Sequence, residues 1–383
     1  MAVWILLILL ANGIISFAYV VSNSTETASL WGLLATNFLF YLGLTQTGIV
    51  FSAIMRIAKS EWGRYFNRLG EMLTLSFIPV AFVTFIIIYI GGTDHLFWWA
   101  HPQTGGEHGS AHLSPWLSKD LFLWRNIVLM ALFYATSYIY FVNGRHEEGK
   151  SEIPVNLEKT LNVLAGLVIF FYVAANTNLA WDFGMMIIKH WESTIYPAYY
   201  WVGNVFAGCA FVYLLGVYFI SNRPGMSLDK NKLDSVGVLL LGFTLLWVYM
   251  FWSQHIVMWY GDMPNLTKPF YGAMTGNYAG PAVVMVLALF VLPFLALINK
   301  RVKHCRLSLV AVAIIICLGV WVSRYLMILP VLEDGSAPAC ATWTNFSLIT
   351  GGFAATILSL IAFFKLFPRV PITLAGQDEE AGH

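Results

Sequence analysis

Ten long apolar runs are the feature of this sequence that most constrains its fold. A helix needs about 20 predominantly apolar residues to cross the hydrocarbon core of a bilayer, and each run is close to or above that length. Only 11% of the 383 residues are charged, against about 25% in soluble domains. Because backbone groups in lipid must bond within their own segment, the sequence predicts an all-α polytopic membrane protein with ten transmembrane helices. The runs cover residues 3–21, 30–56, 72–92, 119–142, 157–180, 197–220, 235–260, 280–299, 307–329 and 345–366.

The basic residues are unevenly distributed between the two sides of these helices. Sixteen of the 21 Lys and Arg residues fall in one set of alternate connections or near the C-terminus, and five fall on the other side. Cytoplasmic loops are enriched in Lys and Arg, so this basic side is predicted to be cytoplasmic and to hold both termini. We call the other side the opposite side. Its five basic residues are Lys119, Arg125, Lys189, Lys268 and Arg324.

The stretch WDFGMMIIKHWESTIYP, residues 181–197, lies on the opposite side between two apolar runs. It is too polar to cross a bilayer and too apolar for an ordinary loop, so it is predicted to lie at the membrane surface. Asp182 and His190 within it are candidate proton acceptors or relays. Asn176 and Asn178 precede it, and polar groups so close together in one helix predict a hydrated cavity.

Polar residues also interrupt the second and third helices. Asn37 and Gln46 lie in the second run, where helix packing with interhelical hydrogen bonds is one interpretation and a quinone pocket is the other. Glu71 begins the third run beside Arg64 and Arg68. A carboxylate near arginines at a helix start favours a structural ion pair, and a cytoplasmic proton-entry site is the alternative.

The seventh helix ends in FWSQHIVMWYGDMP, which places His255 near the opposite surface. It is either an interfacial histidine among aromatic rings or a proton acceptor and quinone hydrogen-bond partner, because histidine titrates near neutral pH. Arg125 and Arg324 lie more than a turn inside helices four and nine. Buried cations require partners, and the candidate carboxylates are Asp182, Asp262, Glu333 and Asp334.

The metal-ligating residue types show no recognisable site. Cys209, Cys305, Cys317 and Cys340 are scattered without a CxxC motif, so the chain is not expected to hold an iron–sulfur cluster, haem c or structural zinc by itself. His101, His108 and His112 lie in one loop on the opposite side, but their spacing matches no closed zinc pattern. No metal site is predicted, and the loop is interpreted as a solvated or docking surface.

Three segments carry a resemblance to a known family: TNFLFYLGLTQTGIVFSAIMRIAKSEWGRYFNRLGEMLTL, AWDFGMMIIKHWESTIYPAYYWVGN and MFWSQHIVMWYGDMP. They resemble the NrfD/polysulfide-reductase type of membrane subunit, and within it the ActF type found in alternative complex III, a bacterial quinol:cytochrome c oxidoreductase. The sister quinol-binding subunits of that complex have a histidine in the motif that reads LTQTG here. Gln46 occupies its position, which weakens the expectation of a quinol site in this chain.

The resemblance implies an organisation and a set of partners. Helices two to five and six to nine would form two four-helix bundles flanked by the first and last helices. The corresponding segments are 1–29 (first helix and loop), 30–180 (first bundle), 181–196 (interfacial segment), 197–330 (second bundle) and 331–383 (last helix and tail). The chain would lie in a bacterial inner membrane beneath an iron–sulfur protein and c-type cytochromes, with a second NrfD-like subunit beside it.

The leading hypothesis is a membrane subunit that handles quinol, protons or both in a respiratory quinol:electron-acceptor oxidoreductase. The quinol would be a menaquinol or ubiquinol, haem c and iron–sulfur clusters would belong to partners, and the chain would not be an enzyme by itself. A catalytically silent membrane anchor is the first alternative. A secondary transporter is the second, although no short, Gly/Pro-interrupted spans occur at corresponding positions in the two halves.

Overall fold

The computed structural model describes residues 2–23, 27–60, 62–100, 114–145, 154–189, 191–221, 230–261, 263–332 and 342–367. These residues form ten helices long and apolar enough to cross a membrane, which confirms the predicted all-α polytopic fold. No strand occurs among them. The ten helices, α1 to α10, are Val3–Asn23, Thr27–Ile57, Phe66–Leu96, Lys119–Gly144, Val155–Met185, Tyr196–Phe219, Lys230–Tyr260, Gly276–Ile298, Arg306–Leu332 and Trp343–Leu366.

The helices pack as two groups of four with a pair at the side. Helices α2 to α5 contact one another, and so do α6 to α9. The two groups meet where α2 packs against α6 and α9, and where α5 packs against α6. Helices α1 and α10 pair mainly with each other. This is the arrangement of two bundles and two flanking helices that was expected.

Helix α2 is the centre of the molecule. In its most apolar window 94% of the residues are buried inside the protein, against 6% for α1. Glycines allow close neighbours on two sides: Gly48 meets the backbone of Gly70 on α3, and Gly43 leaves room for the side chain of Asn204 on α6. Small residues at helix contacts are the usual means of close packing in membranes. The polar groups of α2 therefore face other helices rather than lipid.

Three spans depart from regular α-helical geometry. Helix α3 has a break at Phe77, with Pro79 in the first turn of the following segment Ile78–Ile87. Five-residue π-helical turns occur at Ile88–Gly92, Trp181–Met185 and Leu287–Val291. Such turns are frequent at functional sites. The second of them extends α5 five residues past the end predicted from the apolar run, and it carries Asp182.

A short helix that was not predicted follows α7. It covers Pro264–Met274, begins with proline at its first position and has Pro269 inside it. Trp191, from the stretch after α5, donates a hydrogen bond from Nε1 to the carbonyl of Leu266 at 3.0 Å. The opposite side of the second bundle is therefore covered partly by two connecting segments held together.

Candidate functional site

Asp182 forms a buried ion pair with Arg125 at the opposite end of the first bundle. Its side chain is fully buried, and Arg125 is 8% exposed. The guanidinium binds both carboxylate oxygens, from Nη2 to Oδ1 and from Nε to Oδ2, the latter at 3.1 Å. Asn126 and Asn178 also donate to Oδ2, at 2.6 and 3.1 Å. Asp182, one of the four candidate carboxylates, is therefore the partner of Arg125.

Arg125 is itself held from several directions. Its Nη1 donates to the carbonyl of Trp116 at 2.5 Å, and its guanidinium lies 4.4 Å from the centre of the Trp116 ring. Asn178 lies one helical turn before Asp182 on α5, so the helix itself aligns the amide with the carboxylate. The two carboxylate oxygens of Asp182 thus accept hydrogen bonds from one guanidinium and two amides. Asp182 therefore lies inside the protein, where its partners are on α4 and α5.

A second buried carboxylate lies at the basic end of the same bundle. Glu71 is 5% exposed. Arg68, one of its two predicted partners, forms an ion pair with it, with Nη1 2.7 Å from Oε2. The side chain of Arg64, the other predicted partner, lies outside the described part of the structure. Ser52 on α2 donates to Oε1 at 2.6 Å, and its hydroxyl lies 3.3 Å from that of Tyr140 on α4. Glu71 therefore joins α2, α3 and α4 at this end.

A chain of buried amides crosses the middle of the molecule and joins the two bundles. Arg324 on α9 donates from Nη2 to Asn204 Oδ1 on α6 at 2.9 Å. Asn204 then donates from Nδ2 to Asn176 Oδ1 on α5 at 2.9 Å, and Asn176 donates to Gln46 Oε1 on α2 at 2.9 Å. All four side chains are no more than 1% exposed. We call Asn204, Asn176 and Gln46 the amide chain, and Arg324 lies at its start.

Helix α4 carries a buried polar face along most of its length. Tyr140, Ser137 and Tyr134 follow at three-residue spacing, and Asn126 and Arg125 lie further along the same side with Met130 between the two groups. Tyr140 and Arg125 are separated by fifteen residues, or about 22 Å along a helix. The hydrocarbon core is about 30 Å thick. This face therefore runs through most of the membrane.

The polar face and its partners form what we call the polar seam of the first bundle. Within the described part of the chain, four of its buried atoms have no hydrogen-bond partner: Gln46 Nε2, Tyr134 Oη, Ser137 Oγ and Asn178 Oδ1. Buried polar groups of this kind are normally satisfied by water. The seam comprises Glu71, Ser52, Tyr140, Ser137, Tyr134, Gln46, Asn176, Asn178, Asn126 and Asp182.

His255 lies in the second bundle, away from the seam. Its Nδ1 is 2.6 Å from the carbonyl oxygen of Phe251 one turn earlier. Because a carbonyl can only accept, Nδ1 carries the proton in the neutral ring and Nε2 is the acceptor nitrogen. His255 borders a cavity of about 400 Å³ beneath the short helix Pro264–Met274. The cavity is also lined by Trp252, Ile256, Met258, Trp259, Thr267, Tyr271 and Met274.

Asn37 has partners within the protein. Its Nδ2 donates to the Leu33 carbonyl at 2.8 Å, and its Oδ1 accepts from Trp321 Nε1 on α9 at 3.1 Å. It also borders an apolar cleft of about 450 Å³ between α1, α2, α3 and α10. Gln46 accepts its hydrogen bond at the meeting point of the bundles. Both residues therefore make the interhelical contacts that the packing interpretation expected.

Several candidate residues fall outside the part of the chain that the structure describes. His190, Asp262, Glu333 and Asp334 are among them, as are the loop histidines His101, His108 and His112. Among the described residues, no three His, Cys, Asp or Glu side chains form a group that could hold a metal ion. Among those same residues, no carboxylate pairs with Arg324, although one was expected.

The structure also adds residues that sequence reasoning had overlooked. Asn126, Ser137, Tyr134 and Asn204 each complete a polar contact or line the seam. A polar side chain inside an apolar run was the available signal, because such residues usually face the bundle interior. The signal is weak for tyrosine and serine, which also occur facing lipid and at helix ends.

Comparison with known proteins leaves the chain without an assigned family. No protein-family model matches the sequence, and no curated protein is significantly similar to it. The resemblance to NrfD-type subunits therefore rests on the three quoted segments and remains a prediction.

Proposed function

We propose that this chain is a proton-handling membrane subunit of a respiratory quinol-oxidising complex. The observation that carries this proposal is the polar seam, which extends between two buried carboxylates near opposite ends of the first bundle. Hydrocarbon excludes polar groups unless they are paired, line water or serve a function. Hydroxyls and amides also serve helix packing in membranes, but the unpaired buried atoms among those of the seam favour a water-lined path. The family resemblance supplies the quinol-oxidising context of the proposal.

The seam has the chemistry that proton transfer requires. Hydroxyl groups such as those of Tyr140, Ser137 and Tyr134 both donate and accept hydrogen bonds, so a proton can be relayed through them with intervening water. Glu71 would receive protons at the cytoplasmic end, which is the alternative role that its position in the sequence left open. Asp182 lies near the other end, in its ion pair with Arg125. It would be the acceptor at that end of the relay.

The cavity at His255 supports the quinol part of the proposal. Its volume of about 400 Å³ falls within the range of small-molecule sites, which is about 300–1,000 Å³. His255 Nε2 has the acceptor character that a quinol hydroxyl needs, and Trp252 and Trp259, which also line the cavity, are largely exposed on the outside of the protein. A quinol could enter there from the bilayer. Its electrons would pass to haem or iron–sulfur centres of partner subunits, because no redox centre is assigned to this chain.

The first experiment tests the seam with a matched pair of tyrosines on α4. Tyr134 is 4% exposed and lies in the seam, whereas Tyr138 is 55% exposed on the outside of the same helix. The assembly that copurifies with the chain is reconstituted into liposomes, and quinol:acceptor activity and proton movement are measured together. Tyr134→Phe combined with Ser137→Ala is expected to reduce proton movement about tenfold, because hydroxyl relays contribute factors of this size or more. Tyr138→Phe should leave it unchanged.

The same preparation tests the rest of the proposal. Its visible absorption spectrum should contain c-type haem bands from copurifying partners. His255→Leu should raise the quinol concentration needed for half-maximal activity. Unchanged activity and proton movement in both the seam variant and His255→Leu would reject the proposal.

One observation favours the alternative of a silent anchor. Among the described residues of the first bundle, the buried charges form two ion pairs, Asp182 with Arg125 and Glu71 with Arg68. Such pairs fix helix positions and need no proton traffic. On this alternative the seam variant would lower the thermal stability of the assembly and leave proton movement per quinol oxidised unchanged. The ratio of protons to electrons therefore separates the two functions.

A further inference from the structure

Arg324 is a buried cation without a described counter-ion. Its side chain is 1% exposed, and its Nε has no acceptor within the described part of the chain. Nη2 donates to the Tyr200 carbonyl at 2.7 Å and to Asn204 Oδ1, and the guanidinium lies 4.0 Å from the centre of the Tyr200 ring. Carbonyls and rings reduce the energetic penalty of burying the charge. They do not cancel its field.

The amide chain projects this charge toward the first bundle in a fixed direction. Arginine has no acceptor atom, so Asn204 must turn its oxygen to Arg324 and its NH2 group to Asn176. Asn176 must then turn its oxygen to Asn204 and its NH2 group to Gln46. The last NH2 group, Gln46 Nε2, points away from the cation. Every amide dipole therefore has its positive end toward the seam.

The end of the amide chain falls at the midpoint of the polar seam. Gln46 lies six residues from Ser52, the partner of Glu71, and Asn176 lies six residues from Asp182. Each separation is about 9 Å along a helix. The Tyr134 hydroxyl adjoins the Gln46 side chain at this level. The positive end of the amide chain thus lies between Glu71 and Asp182. It ends at Gln46 Nε2, the donor of the seam that has no partner within the described part of the chain.

We propose that Arg324, acting through Asn204, Asn176 and Gln46, forms an electrostatic barrier that prevents protons from leaking freely along the seam. This proposal rests on the proposed proton-handling function and adds a specific means of control. A water molecule at Gln46 Nε2 would accept its N–H, so the hydrogens of that water would point away. Such a water cannot readily accept a further proton, and the nearby positive charge disfavours hydronium. Fixed cations and dipoles exclude protons from membrane pores in the same way.

The barrier divides the seam into two half-paths. The half-path on the basic side ends at Glu71, Arg68 and Arg56, and the half-path on the opposite side ends at Asp182 and Arg125. These charged groups lie in ion pairs or beside polar partners at the two ends. Arg324 is connected by hydrogen bonds to the middle of the seam. Removal of its charge should therefore connect the two halves.

The experiment measures passive proton flux into liposomes that contain the purified assembly, with a pH-sensitive dye inside and a potassium diffusion potential as the driving force. Arg324→Gln is expected to raise the flux on the order of tenfold. Removal of a unit charge from the protein interior changes the energy of a nearby ion enough to alter its population by about that factor. Arg324→Lys keeps the charge and should retain the low flux of the unmodified protein. Lys303→Gln, which removes a charge near the basic end, is the matched control and should also leave the flux low.

Two further variants make the result decisive. Asn204→Ala interrupts the amide chain while leaving Arg324 in place, and it should raise the flux even if Arg324→Gln does not fold. Tyr134→Phe added to the leaking variant should lower the flux again, because the leak runs through the seam. Low flux in every folded variant, or equal leakage in Arg324→Lys and Arg324→Gln, would overturn the barrier.

The outcome is distinguishable from failure of the proposed function. One result is that proton movement during quinol oxidation depends on Tyr134 and Ser137 while passive flux is the same with and without Arg324. In that case the barrier is rejected and the proton-handling function stands. If neither measurement responds to these substitutions, both proposals are rejected.

Discussion

Arg125 and Arg324 are both buried in this protein, yet they have different kinds of partner. Arg125 in the first bundle shares both oxygens of Asp182 and stacks on Trp116. Arg324, at the contact of the two bundles, is held by a carbonyl, an amide and the Tyr200 ring, with no described carboxylate. The first arginine is neutralised locally. The second has no carboxylate among the described residues to offset its field.

The comparison indicates which of the two charges serves the stability of the fold. A buried pair that loses one member leaves an uncompensated charge, and this is strongly destabilising. A buried cation without an anion leaves no opposite charge behind when it is removed. The predictions below test this distinction through changes in the free energy of unfolding and the thermal midpoint in detergent.

The largest effect is expected for Arg125→Met. Asp182 would remain buried with two amide donors and no cation, so the substitution should destabilise the protein by about 3–5 kcal/mol. Thermal unfolding in detergent measures the loss. The double variant Arg125→Met, Asp182→Leu should recover part of it, because the isolated carboxylate is removed as well. A double variant no more stable than Arg125→Met would indicate that the charge pair is not the origin of the effect.

A smaller effect is expected for Arg324→Met. The substitution removes a buried charge and leaves the Tyr200 carbonyl and Asn204 Oδ1 without their donor, at about 1–3 kcal/mol for such orphaned groups. Release of the desolvation penalty offsets part of this. Thermal unfolding of Arg324→Met and Arg125→Met in the same detergent compares the two losses of stability directly. Equal destabilisation by the two substitutions would mean that Arg324 has a carboxylate partner outside the described residues.

A pair of glycines sharpens the comparison at the Arg324 site. A Cβ atom on Gly203 would lie 3.0 Å from Arg324 Nη2, whereas one on Gly166 of α5 would meet nothing within 4 Å. Alanine is favoured over glycine in a helix by up to about 1 kcal/mol. Gly166→Ala should therefore raise the thermal midpoint slightly, and Gly203→Ala should fail to raise it because the guanidinium must shift. Similar increases for both would show that Arg324 is loosely held.

The smallest effect is expected for an exposed ion pair. Lys119 pairs with Asp94 at the opposite side, where their side chains are 43% and 56% exposed. Pairs of this kind contribute about 0–1 kcal/mol and are screened by salt. Lys119→Gln should change the thermal midpoint little, and any change should disappear in high salt. A loss comparable to that of Arg125→Met would contradict the role assigned to burial.

Much of the fold was predictable because lipid imposes simple rules on a sequence. The apolar runs predicted ten helices, and the described residues form ten. The partners of Glu71 and Arg125 were among the two arginines and four carboxylates that the sequence offered, since buried charges need opposite charges. The end of α5 was misplaced, because a π-helical turn held by Asn178 and Arg125 extends the helix through Asp182. Apolarity alone does not reveal a polar turn that is buried by its partners.

The candidate site was predictable only in part. Glu71, Asp182 and the amides of α5 were identified from their residue types. Their connection through Tyr134, Ser137 and Asn126 on α4 was not, because it depends on which face of that helix meets α2 and α5. The separation of His255 from the seam likewise depends on the division into two bundles.

The sequence by itself determined the all-α class, the number of helices and the presence of costly polar groups within them. These properties follow from the fixed thickness and low polarity of a bilayer, which act on each segment separately. Only the tertiary structure decided that Arg125 pairs with Asp182 while Arg324 has no carboxylate among the described residues, and that three amides align between Arg324 and the seam. Hydrogen bonds between helices depend on rotation and depth to within an ångström, and residues far apart in the chain specify these jointly.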